Sequence, residues 1–195
     1  MKSIAECLTD YVIQKGVVKK EEEEVYQYGF QATLETTLFI ITCAIIASAL
    51  GMIMEGMLFF IIFIPLRSYA GGLHLNHYWS CFFLSCLTFS AILLICKFVY
   101  IRDEIVFATL LVFEASIWFM YPVENINRDV DLEEDVHFRK KLKRFMLVDL
   151  LIAVVCMIAK KETYLLLVVV TFLMVVITMA IGKYKNLLQN RKIVP

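Results

Sequence analysis

The sequence lacks an excess of charge of either sign. Lys and Arg together number 19, and Asp and Glu also number 19. Net charge therefore gives no reason to expect a nucleic acid or an acidic partner. The sequence shows no internal repeat and no low-complexity tract, so we treat residues 1–195 as a single domain.

Cysteine pairs are missing as well. The six cysteines are scattered without a CxxC pair, and most fall inside apolar runs, where a free Cys behaves as a small hydrophobe. They are Cys7, Cys43, Cys81, Cys86, Cys96 and Cys156. We therefore expect no disulfide scaffold.

The N-terminus has no recognisable secretory signal peptide. The first strongly apolar run begins near Leu38, after the acidic cluster Glu21–Glu24, so we expect the chain to keep its N-terminus. Within residues 1–32, apolar side chains recur at roughly helical spacing among charged ones, at Ile4, Leu8, Tyr11, Val12 and Val18. This pattern predicts an amphipathic helix that either lies on a membrane surface or packs on the rest of the protein.

What the sequence has in abundance is apolar surface. Hydrophobic residues make up 61% of the chain and the mean hydropathy is +0.75, whereas soluble domains are roughly 45–50% apolar. The excess is more than one modest core can bury, so lipid is the expected solvent. The apolar runs are continuous and do not alternate, which favours helices over barrel strands. We predict an all-α integral membrane protein.

Six apolar stretches are candidate transmembrane helices, since a span needs about 20 residues. They cover approximately residues 34–50, 52–66, 82–100, 104–121, 145–159 and 164–182. The second and fifth stretches are short and are either short spans or re-entrant segments. Two stretches contain an ionisable residue, which is costly in lipid. Glu114 falls in the middle of the fourth stretch, and Asp149 is expected near the cytoplasmic end of the fifth.

Basic residues predict the orientation, because cytoplasmic loops carry an excess of Lys and Arg. With six spans and a cytoplasmic N-terminus, 15 basic residues lie inside and 4 outside. The four outside are Lys97, Arg102, Lys160 and Lys161. Both termini are therefore expected in the cytoplasm. A four-span arrangement with re-entrant segments keeps the same loops inside and stays open.

A charged cytoplasmic loop is predicted over residues 123–144. Its acidic part holds Asp129, Asp131, Glu133, Glu134 and Asp135. Its basic part holds Arg139, Lys140, Lys141, Lys143 and Arg144. The basic part is either a topology anchor that touches anionic lipid or a docking surface for a charged partner.

Residues 67–81 form a second cytoplasmic segment, with the sequence Arg67-Ser-Tyr-Ala-Gly-Gly-Leu-His74-Leu-Asn-His77-Tyr-Trp-Ser-Cys81. A cysteine nucleophile must become a thiolate, and a neighbouring imidazole can take its proton and return it to a leaving amine. Glycines let backbone N–H groups approach a substrate carbonyl and form an oxyanion hole. A permanent cation such as Arg67 can hold a carboxylate or orient the segment. The segment thus contains the parts needed for nucleophilic acyl transfer.

Either histidine can pair with Cys81. His77 is four residues away, so the two side chains meet on a continuous helix. His74 is seven residues away, about 10 Å along a straight helix, and pairs with Cys81 only if the chain bends. Spacing alone slightly favours His77. The simpler interpretations are a membrane-edge Cys that only packs and histidines that extend polar tips to the interface. A metal site is disfavoured, because the segment has no HExxH element and no acidic residue.

The pattern Arg67-x3-Gly71-Gly72-x-His74-x6-Cys81 resembles the signature of the accessory gene regulator B family of bacterial quorum-sensing systems. Chain length, span number and the segment beginning Tyr121-Pro122-Val123 are similar too, so the resemblance covers nearly the whole chain. It implies a cysteine endopeptidase of the bacterial cytoplasmic membrane, without a cofactor, that cuts an autoinducer propeptide and forms homodimers.

The resemblance also implies the roles of the site residues. Cys81 is the nucleophile and His74 its base, against the spacing argument, while Arg67, Gly71 and Gly72 match positions associated with activity. The implied product is a thiolactone or lactone peptide, formed when a substrate Cys or Ser attacks the Cys81 thioester. His77 has no implied role. The rival functions are a small transporter or peptide exporter without covalent chemistry, and a membrane scaffold that recruits a cytosolic partner through residues 123–144.

Overall fold

The computed structural model describes residues 2–71, 78–121 and 132–193, which form seven α-helices and one 3-10 turn. The helices are α1 (Lys2–Gln14), α2 (Glu23–Leu50), α3 (Ile53–Ala70), α4 (Tyr78–Phe98), α5 (Asp103–Met120), α6 (Leu132–Ile158) and α7 (Glu162–Ile193). Each of the six predicted apolar stretches falls on one helix from α2 to α7. The prediction of an all-α membrane protein is confirmed.

Four helices are long and apolar enough to cross a membrane, namely α2, α3, α4 and α7. The second stretch, predicted to be short, is one of them, because α3 continues to Ala70. The first turn of α5 is acidic and the first half of α6 is strongly charged, so length and composition alone do not mark either as a span. Both helices pack against α7 and therefore lie beside that span. The full count of six spans stays a prediction.

Helix α7 forms the centre of the bundle. It contacts α3, α4, α5 and α6, and 61% of its most apolar window is buried, against 28% or less for the other candidate spans. Side chains such as Leu167, Phe172 and Val175 are fully enclosed by these neighbours. The other helices keep wide apolar faces exposed, as expected of surfaces that meet lipid.

The turn between α2 and α3 shows why the helices can pack closely. Gly51 ends α2 with φ 69°, a left-handed conformation that favours glycine, and the Met52 N–H donates to the Ala47 carbonyl at 2.8 Å. From α4, the Lys97 Nζ donates to the Leu50 carbonyl at 2.7 Å and so satisfies another free carbonyl of α2. These contacts fix the ends of α2, α3 and α4 on the side predicted to face outward.

The N-terminal helix α1 packs on α2. Ala5 and Thr9 are buried, and the Gln27 amide of α2 donates to the Glu6 carboxylate at 3.1 Å. The sequence left open whether this helix lies on a membrane surface or packs on the rest of the protein. The structure shows that it packs on α2. Ile4, Leu8 and Tyr11 stay exposed, and contact between this face and a membrane surface remains a prediction.

The predicted charged loop over 123–144 is shorter in the structure. Helix α6 begins at Leu132 and carries the whole basic part in its first half. The reason is local, because Glu, Arg, Lys and Leu are all good helix formers and the run contains neither Gly nor Pro. Residues 122–131, with Asp129 and Asp131 of the predicted acidic part, lie outside the described residues, whereas Glu133, Glu134 and Asp135 are in the first turn of α6.

Candidate active site

Arg67 and Cys81 come together from two different helices. Arg67 lies in the last turn of α3, and Cys81 is the fourth residue of α4. The Cys81 thiol is free and exposed, and the partly buried Arg67 guanidinium is near enough to interact with it electrostatically. A guanidinium stays charged under all physiological conditions and favours a nearby thiolate. The structure thus gives Cys81 a permanent cationic neighbour.

The position of Cys81 in the first turn of α4 is a second feature that suits a nucleophilic cysteine. The first turn of a helix holds N–H groups without intrahelical acceptors and the positive end of the helix dipole. Four of the other cysteines, Cys43, Cys86, Cys96 and Cys156, lie deeper in their helices and are buried or half-buried. Cys7 on α1 is the other exposed cysteine. Cys81 is therefore accessible and near positive charge.

Gly71 directs the chain out of α3. Its φ of 78° and ψ of −163° fall in a region that is essentially restricted to glycine. Any side chain at this position strains the backbone near the start of residues 67–81, which we call the reactive segment. Gly72, His74 and His77 lie outside the described residues, so the choice between His74 and His77 as the base stays a prediction.

Tyr69, two residues beyond Arg67, joins the end of α3 to α6. Its ring stacks on Phe145 with the ring centroids 5.6 Å apart and an interplanar angle of 13°, and it also contacts Phe138 at 5.7 Å. The Lys141 Nζ lies 5.4 Å from the centre of the same ring. These contacts hold the first half of α6 beside the start of the reactive segment.

The basic part of α6 consequently forms a surface next to the site. Arg139, Lys140, Lys143 and Arg144 are exposed, and Arg139 also lies over the Trp118 ring of α5 at 4.8 Å. Lys141 is partly covered by its contact with Tyr69. We call the five cations Arg139, Lys140, Lys141, Lys143 and Arg144 the basic face. It is helical and lies close to α3, which the sequence did not predict.

Sequence reasoning missed the aromatic residues that fix this arrangement. Tyr69 and Trp118 contact the basic face, and the Tyr121 hydroxyl donates to the Asp135 carboxylate at 2.8 Å, which ties the end of α5 to the beginning of α6. Tyr and Trp with one apolar and one polar side are typical of membrane interfaces. That enrichment is the signal that could have identified them.

The described residues contain no cluster that could hold a metal ion. Within residues 2–71, 78–121 and 132–193, no three His, Cys, Asp or Glu side chains come together in a suitable group. His74 and His77 are outside these ranges.

Comparison with known proteins identifies the family. The model of accessory gene regulator B matches residues 5–179, nearly the full chain and all the described site residues. No curated protein and no solved structure shows a significant match. The chain therefore belongs to the accessory gene regulator B family, membrane proteins associated with the processing of quorum-sensing peptides.

Proposed function

We propose that this protein is a membrane cysteine endopeptidase that cuts an autoinducer propeptide and closes the portion retained on the enzyme into a ring. The observation that carries the proposal is the electrostatic interaction between Arg67, in the last turn of α3, and the exposed Cys81 thiol at the start of α4. Membership of the accessory gene regulator B family supports it, because that family is associated with peptide processing.

In the first half of the reaction, the Cys81 Sγ attacks the carbonyl carbon of the scissile peptide bond. His74 takes the thiol proton as the S–C bond forms. The tetrahedral intermediate then collapses, the C–N bond breaks, and the same proton passes to the leaving amine. The C-terminal part of the propeptide departs, and a thioester remains on Cys81.

In the second half, a Cys or Ser side chain within the bound peptide attacks the thioester carbonyl. Its proton passes through His74 to the Cys81 sulfur as the S–C bond breaks, which regenerates the thiol. Attack by Cys yields a thiolactone and attack by Ser a lactone. With a Cys the exchange is nearly balanced in energy, since one thioester replaces another, so the enzyme is released without a further energy source.

Three residues support these steps. Arg67 stabilises the attacking thiolate through its fixed positive charge. Gly71 and Gly72 offer N–H groups that no side chain shields, and these can donate to the oxyanion of the tetrahedral intermediate. Gly71 contributes in a further way, because its glycine-only conformation sets the direction of the segment that carries His74.

The basic face provides a place for the departing part of the substrate. Lys141 lies against Tyr69 in the last turn of α3, and the exposed cations Arg139, Lys140, Lys143 and Arg144 flank it along α6. An amphipathic propeptide concentrates at the inner leaflet, where an acidic tail can engage this face. We place the protein in the bacterial cytoplasmic membrane as a homodimer, with both termini in the cytoplasm.

The test is mass spectrometry of the protein co-expressed with its candidate propeptide. Wild type should release the C-terminal fragment and carry a peptide adduct on Cys81, whereas Cys81→Ala and His74→Ala should do neither. Arg67→Gln should give less adduct in the same time. Cys7→Ala, which removes the other exposed cysteine, is the matched control and should behave like wild type.

Two results would count against this assignment. Cleavage that persists in Cys81→Ala excludes Cys81 as the nucleophile and favours the transporter or scaffold functions. Cleavage that persists in His74→Ala but is lost in His77→Ala keeps the peptidase and moves the base to His77.

A further inference from the structure

Two carboxyl side chains lie within the bundle, Asp149 buried and Glu114 partly buried, and the proposed peptidase chemistry does not use them. Glu114 is eleven residues after the start of α5, and Asp149 is nine residues before the end of α6. At 1.5 Å per residue, Glu114 is about 17 Å from the start and about 9 Å from the end of α5, and Asp149 is about 14 Å from the end of α6. These distances are less than the thickness of a hydrocarbon core, about 30 Å. Asp149 was expected near the cytoplasmic interface. This expectation stays a prediction, because Asp149 is only five residues beyond Arg144, the last cation in the charged half of α6.

Both carboxyl groups have a buried oxygen that lacks a partner. Asp149 is only 3% exposed, and neither its Oδ2 nor the Glu114 Oε1 makes a hydrogen bond to any described residue. The two groups are nevertheless near enough to interact electrostatically across the α5–α6 contact. The structure thus places two acidic groups on helices that pack together, each with one buried oxygen and near enough to affect the other's charge.

No cation among the described residues neutralises the pair. Helices α3 and α7 also pack against α6. The charged or titratable groups of α3 lie near its ends, with Glu55 in the first turn and Arg67 in the last. On α7, Glu162 and Tyr164 lie at the start and Lys183 towards the end. Among all these groups, Glu114 is the one that acts on Asp149.

The hydroxyl at the same depth is already engaged. Thr171 lies nine residues into α7, level with Asp149 across the short α6–α7 turn, and is fully buried. Its hydroxyl donates to the Leu167 carbonyl at 2.7 Å. Thr171 therefore does not use that proton to satisfy Asp149.

Two neighbouring carboxylates in a low-dielectric environment cannot both be ionised, because desolvation and mutual repulsion both oppose the second charge. A proton on one group lowers the total charge and supplies a donor. An O–H···O⁻ hydrogen bond between two such groups is short and strong. It would satisfy the two oxygens that otherwise have no partner.

We propose that Glu114 and Asp149 form an intramembrane proton-binding site, in which the two carboxyl groups share a single proton between α5 and α6. The site is independent of the peptidase reaction and needs neither Cys81 nor a histidine.

A hydrophobic carbodiimide tests the site directly, because it partitions into lipid and reacts with protonated carboxyl groups. The acid proton moves to a carbodiimide nitrogen, the carboxylate oxygen adds to the central carbon, and rearrangement gives a stable N-acylurea. Dicyclohexylcarbodiimide is added in excess near neutral pH to the full-length protein in lipid vesicles. Intact-mass and peptide analysis should then show one adduct per chain, on Glu114 or Asp149.

Variants and a second measurement separate the outcomes. The double variant Glu114→Gln/Asp149→Asn should lose the adduct, whereas Glu104→Gln, which removes an exposed carboxyl of α5, should keep it. Infrared spectra of wild type should show a protonated carboxyl carbonyl band that is absent from the double variant. Two adducts per chain would refute the shared proton. Protection by Na⁺ at constant pH, but not by choline, would mean a sodium site. Absence of both adduct and band would overturn the proposal.

Discussion

At the scale of single residues, the candidate site depends on Gly71 and on the electrostatic interaction between Arg67 and Cys81. The sequence indicated the Gly-Gly pair and the chemistry of Cys81, because those residue types have few other uses together. It could not indicate that Arg67 lies near enough to Cys81 to interact with it. The two residues are on separate helices, so no periodic pattern within one helix relates them. Spacing even favoured His77, and the assignment of His74 came from resemblance alone.

Gly71→Ala should reduce propeptide cleavage strongly. A Cβ at φ 78° and ψ −163° costs about 1–3 kcal/mol of backbone strain, and relief of that strain redirects the segment that carries His74. Gly51→Ala is the matched control, because Gly51 also has a positive φ but lies at the opposite end of α3. Cleavage by equal amounts of folded protein measures the effect. Equal losses in both variants would show that strain anywhere, not the exit from α3, is responsible.

At the scale of elements, hydropathy located α2 to α7 because each must bury or expose a long apolar surface in lipid. It failed at the start of α6, where helix propensity continues the helix into a charged run that hydropathy assigns to a loop. It also left α1 undecided, since an amphipathic pattern looks the same whether the apolar side meets lipid or α2. Contacts such as Tyr69 with Phe145 depend on tertiary structure and leave no trace in a local pattern.

Reversal of charge on the basic face should weaken propeptide processing. Lys140→Glu/Lys143→Glu changes two exposed side chains of α6, so the fold and the membrane insertion should persist while attraction to an acidic peptide tail is lost. The loss should shrink at high salt, which screens the interaction in wild type as well. Cleavage rates across a salt series measure this.

Lys19→Glu/Lys20→Glu is the control for the charge reversal. It changes the same number of exposed cations on the same predicted side, but on the connection between α1 and α2. Processing should then stay near the wild-type rate. A similar loss in both variants would mean that overall positive charge, or the topology it determines, is what matters.

At the scale of the whole molecule, the bundle is organised around α7. Inside a bilayer the hydrophobic effect does not drive helices together, because lipid tails are as apolar as the side chains. Van der Waals contact between closely packed side chains must therefore stabilise the bundle. The approach of α3 to α2 and α4 is similarly close. A Cβ at Gly56 would lie 3.0 Å from the Ala47 Cβ and 3.2 Å from the Phe89 ring. Among the four candidate spans α7 has the highest mean hydropathy, 2.9, but hydropathy does not show that a helix is central.

Phe172→Ala should destabilise the bundle by about 3 kcal/mol, near the low end for a buried Phe, because the loss is mainly of packing contacts. Leu173→Ala is the adjacent control, since Leu173 is 36% exposed and points away from the centre. Thermal unfolding of the purified proteins in detergent measures the difference. Equal shifts in the two variants would contradict the central position of α7.

The central place of α7 has a consequence for how the protein is made. The ribosome synthesises α7 after the five helices from α2 to α6, yet α3, α4, α5 and α6 all pack on it. A nascent chain that has not yet inserted α7 can hold its earlier helices in the bilayer but cannot close the bundle. The contact between α3 and α6 beside the reactive segment then lacks its supporting helix. Peptidase competence should therefore arise late in biosynthesis, and an incomplete chain should be inserted but inert.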